Sequence, residues 1–267
     1  MNTKNDQHAP RAGGAATVQP PATRTLLRAS QVEKNHDPAS PLARTLAWIR
    51  EFLARPHPQL GRSGPVCPFT PTALNLDTIW FAQIDDATLE LSRMGDLLGE
   101  FREHFLQAEP RAGAEAINKA ILIVFPNLGS EAAAIIDDVQ HALKPRFVEA
   151  GLMLGEFHAA NQSPGLRNPD FRPLRSPVPM LAIRHIVETD LPFLRRPNEA
   201  PERRAAYARA YLRQLAPRIT RNSFEQAIEI LVDAEMQLRN GSLETDRSLL
   251  AAAVPPLASA DARIPRQ

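Results

Sequence analysis

The segment KAILIVF, Lys119–Phe125, sets the expected fold of this chain. Six of its seven side chains are apolar, and four of those are β-branched or aromatic, a composition that favours a β-strand. A run without a polar face is expected of a central strand that is buried on both sides. Pro126, Asn127 and Gly129 then end the strand, because these residues favour turns. The core is therefore expected to form around this segment.

Helical and strand-like segments alternate on both sides of it. Ser40 and Pro41 predict the start of an amphipathic helix that runs to Leu53. Asp85 or Asp86 is expected to cap the helix that follows the next strand. Further strands are predicted at 76–84, 151–158 and 178–187, and further helices at 85–106, 131–149, 201–215 and 224–238. This order predicts an α+β fold, in which helices pack on a mixed sheet of about four strands.

Composition indicates one domain between two tails. The 267 residues are enough for one sizeable core. Residues 1–38 are rich in Ala, Pro, Thr, Gln and Gly without apolar periodicity, and residues 241–267 are similar. Both ends are therefore expected to be disordered, and residues 39–240 to form a single α+β domain.

Charge and cysteine content exclude several classes of function. The 31 basic and 30 acidic residues leave a formal net charge of +1, so no overall field would attract nucleic acid or an anionic membrane. No apolar run approaches the roughly 20 residues of a membrane span. The single cysteine, Cys67, rules out an intramolecular disulfide and fits a reducing compartment. We therefore expect a cytoplasmic protein that acts on a small molecule, and the oligomeric state stays open.

Two side chains of the strand near residue 155 are suited to acid–base chemistry. Side chains alternate along a strand, so Glu156 and His158 lie on the same face. A carboxylate beside an imidazole supplies a general acid–base pair, or a metal ligand with a supporting partner. The alternative is that the strand simply ends in solvent at this point. We expect Glu156 and His158 to be catalytic, in a working region that joins segments 57–71 and 151–184.

A connection of about twenty residues follows, AANQSPGLRNPDFRPLRSPVP, which we call the arginine loop (residues 159–179). Its five prolines limit flexibility. Arg167, Arg172 and Arg175 face only one acid, Asp170, and guanidinium groups bind carboxylate or phosphate well. We expect these arginines to bind an anionic substrate, although a solvated basic loop is the alternative.

The next strand carries Arg184 and His185 on opposite faces. A buried arginine needs a partner, and Glu156 would serve if the two strands are neighbours. Arg184 is therefore added to the expected substrate-binding set. His185 is a further candidate metal ligand, although a histidine in the core is the more common case. Asp190 is expected to cap the turn that follows.

Cys67 lies in GPVCPF, between two prolines, with His57 ten residues upstream. A fixed thiol near cationic groups could be a nucleophile or a thiolate ligand. Free cysteine is also among the most buried residues, and no paired ligand spacing accompanies it. Both interpretations stay open. No nucleotide-binding glycine loop or serine-hydrolase elbow is present in the sequence.

The motifs GPVCPF (64–69), GLMLGEFH (151–158) and RSPVPMLAIRH (175–185) resemble a domain family of bacteria and fungi without an assigned activity. The resemblance covers residues 56–194 and implies the extent of a domain. More loosely, the chain is similar to the YqcI/YcgG-type haem proteins, some of which N-oxygenate guanidine-bearing amino acids. The shared features are a proline-flanked cysteine, βα units and an Arg/Pro-rich approach to a late strand. This similarity implies haem or iron chemistry, with His158, His57 and His185 as ligands in that order.

Three functions are consistent with these residues. The first is a haem- or iron-dependent oxidoreductase of specialised metabolism that acts on a carboxylate-bearing small molecule. The second is a non-catalytic module that binds an anionic ligand or a protein through its arginines. The third is a cysteine-dependent acyl transferase or hydrolase that uses Cys67 with His57 or His158.

Overall fold

A computed structural model of the chain describes residues 25–196 and 198–253. Within these residues the chain forms one five-stranded sheet and eight α-helices. The strands are β1 (Leu27–Arg28), β2 (Ile79–Gln83), β3 (Ala120–Val124), β4 (Leu152–Phe157) and β5 (Met180–His185). The helices are α1 (Ala29–Asn35), α2 (Pro41–Trp48), α3 (Thr70–Asn75), α4 (Leu91–Gln107), α5 (Ala132–Glu149), α6 (Leu191–Leu194), α7 (Pro201–Leu215) and α8 (Arg221–Ala253). The predicted α+β class is confirmed.

The sheet is mixed and its strand order is β1-β2-β3-β5-β4. β2 and β3 run parallel, and the other three neighbouring pairs are antiparallel. β3 is the central strand, as the apolar run predicted, and Ile121 through Val124 are all buried. β4 lies at one edge of the sheet, beside β5. The described strands number five rather than four because β1 is only two residues long and carries no strand pattern of its own.

Helices cover both faces of the sheet. Ile121 and Ile123 of β3 point into a core with α4 and α5, whereas Leu122 and Val124 point into a core with α1 and α2. A third cluster joins α6, α7 and α8 to the side chains of Val148 and Met153. This layering places helix α5 directly over the edge strand β4, where Glu156 and His158 lie.

The amphipathic helix predicted from Ser40 is confirmed. The Ser40 hydroxyl accepts a hydrogen bond from the backbone N–H of Ala43, and Pro41 occupies the first turn. The final predicted turn, Ile49–Leu53, is π-helical.

The predicted cap of α4 was wrong. Asp86 Oδ1 instead accepts hydrogen bonds from the backbone N–H and hydroxyl of Thr88 and closes a local turn. Helix α4 consequently begins at Leu91. The strand predicted from residue 76 begins only at Ile79, after the short helix α3.

The structure also places regular elements within both predicted tails. β1 and α1 occupy residues 27–35, because Ala29 and Val32 are buried against the sheet and Ser30 hydrogen-bonds Asp77. Two buried side chains are too few to show as a periodic pattern. Helix α8 continues to Ala253, and residues 1–24 and 254–267 lie outside the described part of the chain. Among the described helices, none combines the length and apolar character needed to cross a membrane.

Candidate functional site

Strand β4 delivers Glu156 and His158 to the side of the sheet covered by α5. Leu152 and Leu154 belong to the core beneath α4 and α5, so alternation brings Glu156 and His158 to that same side. Both are buried, with exposed fractions of 8% for Glu156 and 3% for His158. Two titratable side chains therefore leave the apolar core at the end of an edge strand.

A hydrogen bond joins His158 to helix α5. Its Nε2 atom lies 3.0 Å from Oδ1 of Asp137, a side chain that is about half exposed. A carboxylate only accepts, so Nε2 donates its proton to Asp137, and Nδ1 is the other ring nitrogen. That Nδ1 atom is buried and has no partner among the described residues. This hydrogen bond therefore joins the end of β4 to helix α5 through His158 and Asp137.

Glu156 is buried with little hydrogen bonding to its carboxyl group. Its one side-chain contact is with the Ser163 hydroxyl, which lies 3.5 Å from Oε1, the outer limit of a hydrogen bond. Burial raises the pKa of Glu156 above its ordinary value, and the charge of Asp137 adds to this effect. A hydrogen bond from the backbone of Glu156 itself lowers this pKa, and Arg196 and Lys144 lower it less strongly. The balance favours a carboxyl group that holds its proton at a higher pH than an exposed glutamate does.

Glu156 lies at the base of an open polar cleft of ≈ 430 Å³. One wall is the outer face of α5 and the other is the start of the arginine loop. The side chains that line it include Asp137, Asp138, His141, Glu156, Ser163 and Arg196. Arg196 follows α6, and within the described residues no protein oxygen pairs with its guanidinium group. The cleft therefore combines three acids with one available cation.

A buried lysine lies close to this cleft. Lys144 is 4% exposed, and its Nζ donates a hydrogen bond to the carbonyl of Phe193 at 3.1 Å. The same nitrogen lies 5.2 Å from the ring centroid of Tyr207, whose buried hydroxyl has no hydrogen-bond partner in the described part of the chain. Burial lowers the pKa of Lys144, and Arg196 lowers it further. Lys144 in turn lowers the pKa of Glu156, against the effect of burial.

Asp137, Lys144 and Arg196 were not among the residues predicted for the site. One signal for Lys144 was present, because it follows buried Ile136 by eight residues and precedes buried Phe147 by three. A lysine on the apolar face of a helix needs a polar partner, which marks it for attention. Asp137 and Arg196 carry no comparable signal, since both lie at exposed positions.

The arginine loop is held together by its own arginines. Arg172 donates to the carbonyls of Pro169 and Phe171. Arg175 donates to the Asn161 carbonyl and the Gln162 side chain, both at 3.2 Å. Arg167 is exposed. Two of the three loop arginines expected to bind an anion are therefore already engaged with protein oxygens.

The loop also contacts the segment 57–71, as the predicted working region requires. Asn168 Nδ2 donates to the Gln59 carbonyl at 2.8 Å. Gly61 has a φ of +74°, and a Cβ at that position would lie 3.0 Å from Cβ of Arg167. This contact lies on the outer part of the loop, however, and the residues that line the cleft come from α5, β4, Arg196 and the start of the loop.

The predicted pairing of Arg184 with Glu156 was wrong, although β4 and β5 are neighbours. The register places Arg184 opposite Met153 and Glu156 opposite Leu181. Arg184 pairs instead with Asp190. Burial opposes ionisation, yet the pKa of Arg184 is raised by Asp190 and, less strongly, by the Cys67 thiol. Arg184 therefore forms an ion pair within the protein, on the opposite side of the sheet from the cleft.

The three predicted histidine ligands lie in three separate environments. The ring of His57 stacks on Phe171 at a centroid distance of 4.7 Å, and that of His185 lies 4.9 Å from Phe105. His158 contacts α5, as described. Within the described part of the chain, no group of three His, Cys, Asp or Glu side chains could hold a metal ion. The three histidines therefore do not converge on one site.

Cys67 is half-buried at the start of α3. Its backbone N–H donates to the Leu53 carbonyl at 2.9 Å, which fixes the proline-flanked turn. Within the described residues neither His57 nor His158 hydrogen-bonds it, so no thiol–imidazole pair is formed.

Comparison with known proteins identifies a family without an assigned function. A family model described as "Domain of unknown function (DUF6875)" matches residues 42–226, more than half of the chain. The match extends beyond residues 56–194 at both ends and includes every residue that lines the cleft. No curated protein and no solved structure matches the chain.

Proposed function

The chain belongs to the DUF6875 family, and we propose that it is an enzyme in which Glu156 exchanges a proton with a small carboxylate-bearing substrate. The observation that carries this proposal is the state of Glu156, which is buried at a polar cleft and raised in pKa, although its own backbone hydrogen-bonds its carboxyl group. A carboxyl group whose pKa moves toward neutrality is suited to general acid–base catalysis.

A purely structural role explains this glutamate less well. A buried carboxylate normally has strong hydrogen bonds or a salt bridge, because its desolvation is otherwise costly. Within the described residues Glu156 has a hydrogen bond from its own backbone, one contact at 3.5 Å with another side chain, and no ion pair shorter than 4.0 Å. A substrate group in the cleft would supply the partner that the fold does not.

The surrounding charges indicate which substrate would be bound. Arg196 is exposed at the cleft and is the only unpaired cation among the lining residues described, so it would bind the substrate carboxylate. Asp137 and Asp138 would accept hydrogen bonds from a hydroxyl or amino group of the same molecule. Lys144, which has one recorded acceptor for three N–H groups, would stabilise Glu156 after it gives up its proton.

In this mechanism His158 is a positioning residue. It does not line the cleft, and its proton is committed to Asp137 at 3.0 Å. Loss of His158 would release the Asp137 carboxylate rather than remove a group that touches substrate.

The alternative of a non-catalytic module for an anionic ligand has weaker support. Its arginines were expected to be available, yet Arg172, Arg175 and Arg184 are bound to protein oxygens. Acids also outnumber cations in the cleft. The experiment below separates this function from the proposed one.

Ligand binding is tested first, by thermal unfolding with a panel of small hydroxy, keto and amino acids at millimolar concentration. We expect at least one acid to raise the melting temperature of the wild-type protein. The shift should be lost in Arg196→Ala and kept in Arg195→Ala, a matched control that removes a neighbouring exposed charge outside the cleft.

Turnover is then tested by proton NMR of each bound acid incubated in D₂O with the wild-type protein or Glu156→Gln. New signals, or exchange of a C–H signal for deuterium, should appear only with the wild-type protein. If acids bind and neither protein changes them, the chain is a binding module and the proposal of an enzyme is wrong. If no acid binds, the assignment of the cleft is wrong.

A further inference from the structure

Asn161, near the start of the arginine loop, lines the cleft although its side chain is almost entirely buried. It is 2% exposed and lies beside Glu156 among the lining residues. Its Oδ1 atom accepts the backbone N–H of Ser163 at 2.9 Å. An N–H group donates, so the atom that meets it must be the amide oxygen, and this contact fixes the orientation of the amide. The amide nitrogen, Nδ2, is therefore a positioned donor with two N–H groups.

No short hydrogen bond uses this nitrogen within the described residues. Nδ2 lies 3.5 Å from the Glu156 carbonyl, the outer limit of a hydrogen bond, and 3.5 Å from Nε2 of His158. The second contact is not a hydrogen bond, because Nε2 donates its own proton to Asp137. A buried polar group normally has a good partner, since its desolvation is otherwise costly. A group bound in the cleft would supply the acceptor for Nδ2.

Ser163 connects this donor to Glu156. Its backbone N–H binds the Asn161 amide, and its hydroxyl lies 3.5 Å from Oε1 of Glu156. The amide and the carboxyl group are therefore neighbours of one residue, so a single small molecule in the cleft can contact both. Arg175 holds the backbone of Asn161 as well, because it donates to the Asn161 carbonyl at 3.2 Å. Donors that are held in place before the reaction are the effective ones in catalysis.

We propose, resting on the role assigned to Glu156 above, that the substrate is a keto acid whose keto oxygen accepts a hydrogen bond from Asn161 Nδ2. An amide N–H only donates and a keto oxygen only accepts, so the two groups are complementary. Arg196 would bind the carboxylate of the same molecule. Asp137 and Asp138 stay available for a hydroxyl or amino group elsewhere in it.

Glu156 and Asn161 then act on the two ends of one enolisation. The Glu156 carboxylate takes a proton from the carbon beside the keto group. The electrons of that C–H bond form a C=C bond, and the π electrons of the C=O bond move onto the oxygen. This oxygen becomes negative, so its hydrogen bond with Nδ2 strengthens as the proton leaves. Return of a proton from Glu156 to carbon restores the keto acid, with a solvent deuteron in its place in D₂O.

Deuterium exchange followed by proton NMR tests this assignment on 2-oxobutanoate, 2-oxoglutarate and 4-hydroxy-2-oxobutanoate. The hydroxy and amino acids of the same carbon skeletons are measured beside them. We expect the wild-type protein to exchange at least one keto acid and none of its hydroxy or amino relatives. Asn161→Ala should lower kcat by about 100-fold to 1,000-fold, as loss of one donor to a developing oxyanion does, with a much smaller change in KM.

Asn168 provides a matched control in the same loop. Its Oδ1 accepts the backbone N–H of Asp170 at 3.0 Å, so it closes the same kind of turn. Its Nδ2, however, donates to the Gln59 carbonyl at 2.8 Å, away from the cleft. Asn168→Ala should therefore keep the kcat of the wild type. Asn161→Asp keeps the oxygen that closes the turn and removes the donor, so it should lose kcat even if the alanine variant is poorly folded.

The possible failures are distinguishable. Exchange that Glu156→Gln abolishes and that neither folded Asn161 variant slows would overturn the role of Asn161 and leave that of Glu156 intact. Turnover of hydroxy or amino acids without any keto acid would overturn the substrate class alone. If the wild-type protein changes no acid of the panel, the function proposed for Glu156 is wrong, and the role of Asn161 is rejected with it.

Discussion

Arg184 holds Asp190 in a two-pronged ion pair, with its terminal nitrogens 2.7 and 2.6 Å from the two carboxylate oxygens. Asp190 is 2% exposed, and its Oδ2 atom also accepts the backbone N–H of Val187 at 2.8 Å. Arg184 donates in addition to the His185 carbonyl. These contacts tie the end of β5 to the turn that starts α6. The pair is therefore a structural connection between the sheet and the helices that follow it.

Removing one member of this pair should destabilise the fold strongly. Asp190→Asn leaves the Arg184 guanidinium without its counter-charge, and we expect the free energy of unfolding to fall by about 2–4 kcal/mol. The loss is below the full value for a buried pair because the Arg184 side chain is 31% exposed. Urea denaturation measures the change. Glu33→Gln, which breaks the exposed pair with Arg50, is the matched control and should change the free energy of unfolding far less, because solvent screens that pair.

His185 should make the protein sensitive to mild acid. Burial, followed by the charges of Lys119 and Arg218, lowers the pKa of His185 from 6.5 to about 4. Between pH 6.5 and about pH 4 the unfolded chain binds the proton more readily than the folded protein does. The stability that neutral His185 contributes is therefore complete above pH 6.5 and is lost as the pH falls to about 4. In His185→Phe the free energy of unfolding should fall less over this pH range than in the wild type, by up to about 3 kcal/mol.

The measurement is the free energy of unfolding of both proteins from pH 7 to pH 4. The difference between the two curves isolates His185 from the other acid-sensitive groups. Parallel curves would mean that this imidazole titrates normally in the folded protein.

Glu156 should change the pH dependence of stability in the opposite direction to His185. Its raised pKa means that the folded protein binds the proton more tightly than the unfolded chain does, so stability decreases as the pH rises above the ordinary glutamate range. Glu156→Gln should therefore be more stable than the wild type at pH 8, and this advantage should shrink as the pH is lowered toward 4.5. Thermal unfolding across that range checks the prediction. A wild type that is the more stable protein at pH 8 would contradict it.

Lys119 should be a structural residue despite its perturbed pKa. It is 1% exposed, and its Nζ donates to the carbonyls of Phe105 and Ala108, both at 2.7 Å, at the C-terminal end of α4. Lys119→Met leaves these carbonyls without donors, so the free energy of unfolding should fall by about 1–3 kcal/mol. Denaturation at pH 7 tests this, with Lys34→Met on the exposed surface of α1 as the control. Equal stability of the two variants would show that water replaces the lysine.

The elements of the fold were largely accessible from local sequence. An uninterrupted apolar run can only be satisfied in the middle of a sheet, so KAILIVF predicted the central strand correctly. Helix α7 was predicted with its observed bounds, Pro201–Leu215, because a proline at its start and regular apolar spacing mark it clearly. The start of α4 was not predicted correctly. Asp86 favours a turn and a helix cap equally well until its neighbours are known.

The sequence by itself determined that Glu156 and His158 share one side of β4, since side-chain alternation is a property of the strand alone. Only the tertiary structure decided their partners. The register of β5 against β4 set Arg184 three positions away from Glu156, and the packing of α5 and of the chain after α6 brought Asp137, Lys144 and Arg196 to it instead. Those contacts join segments far apart in the chain, and the core packing that selects them leaves no local pattern in the sequence.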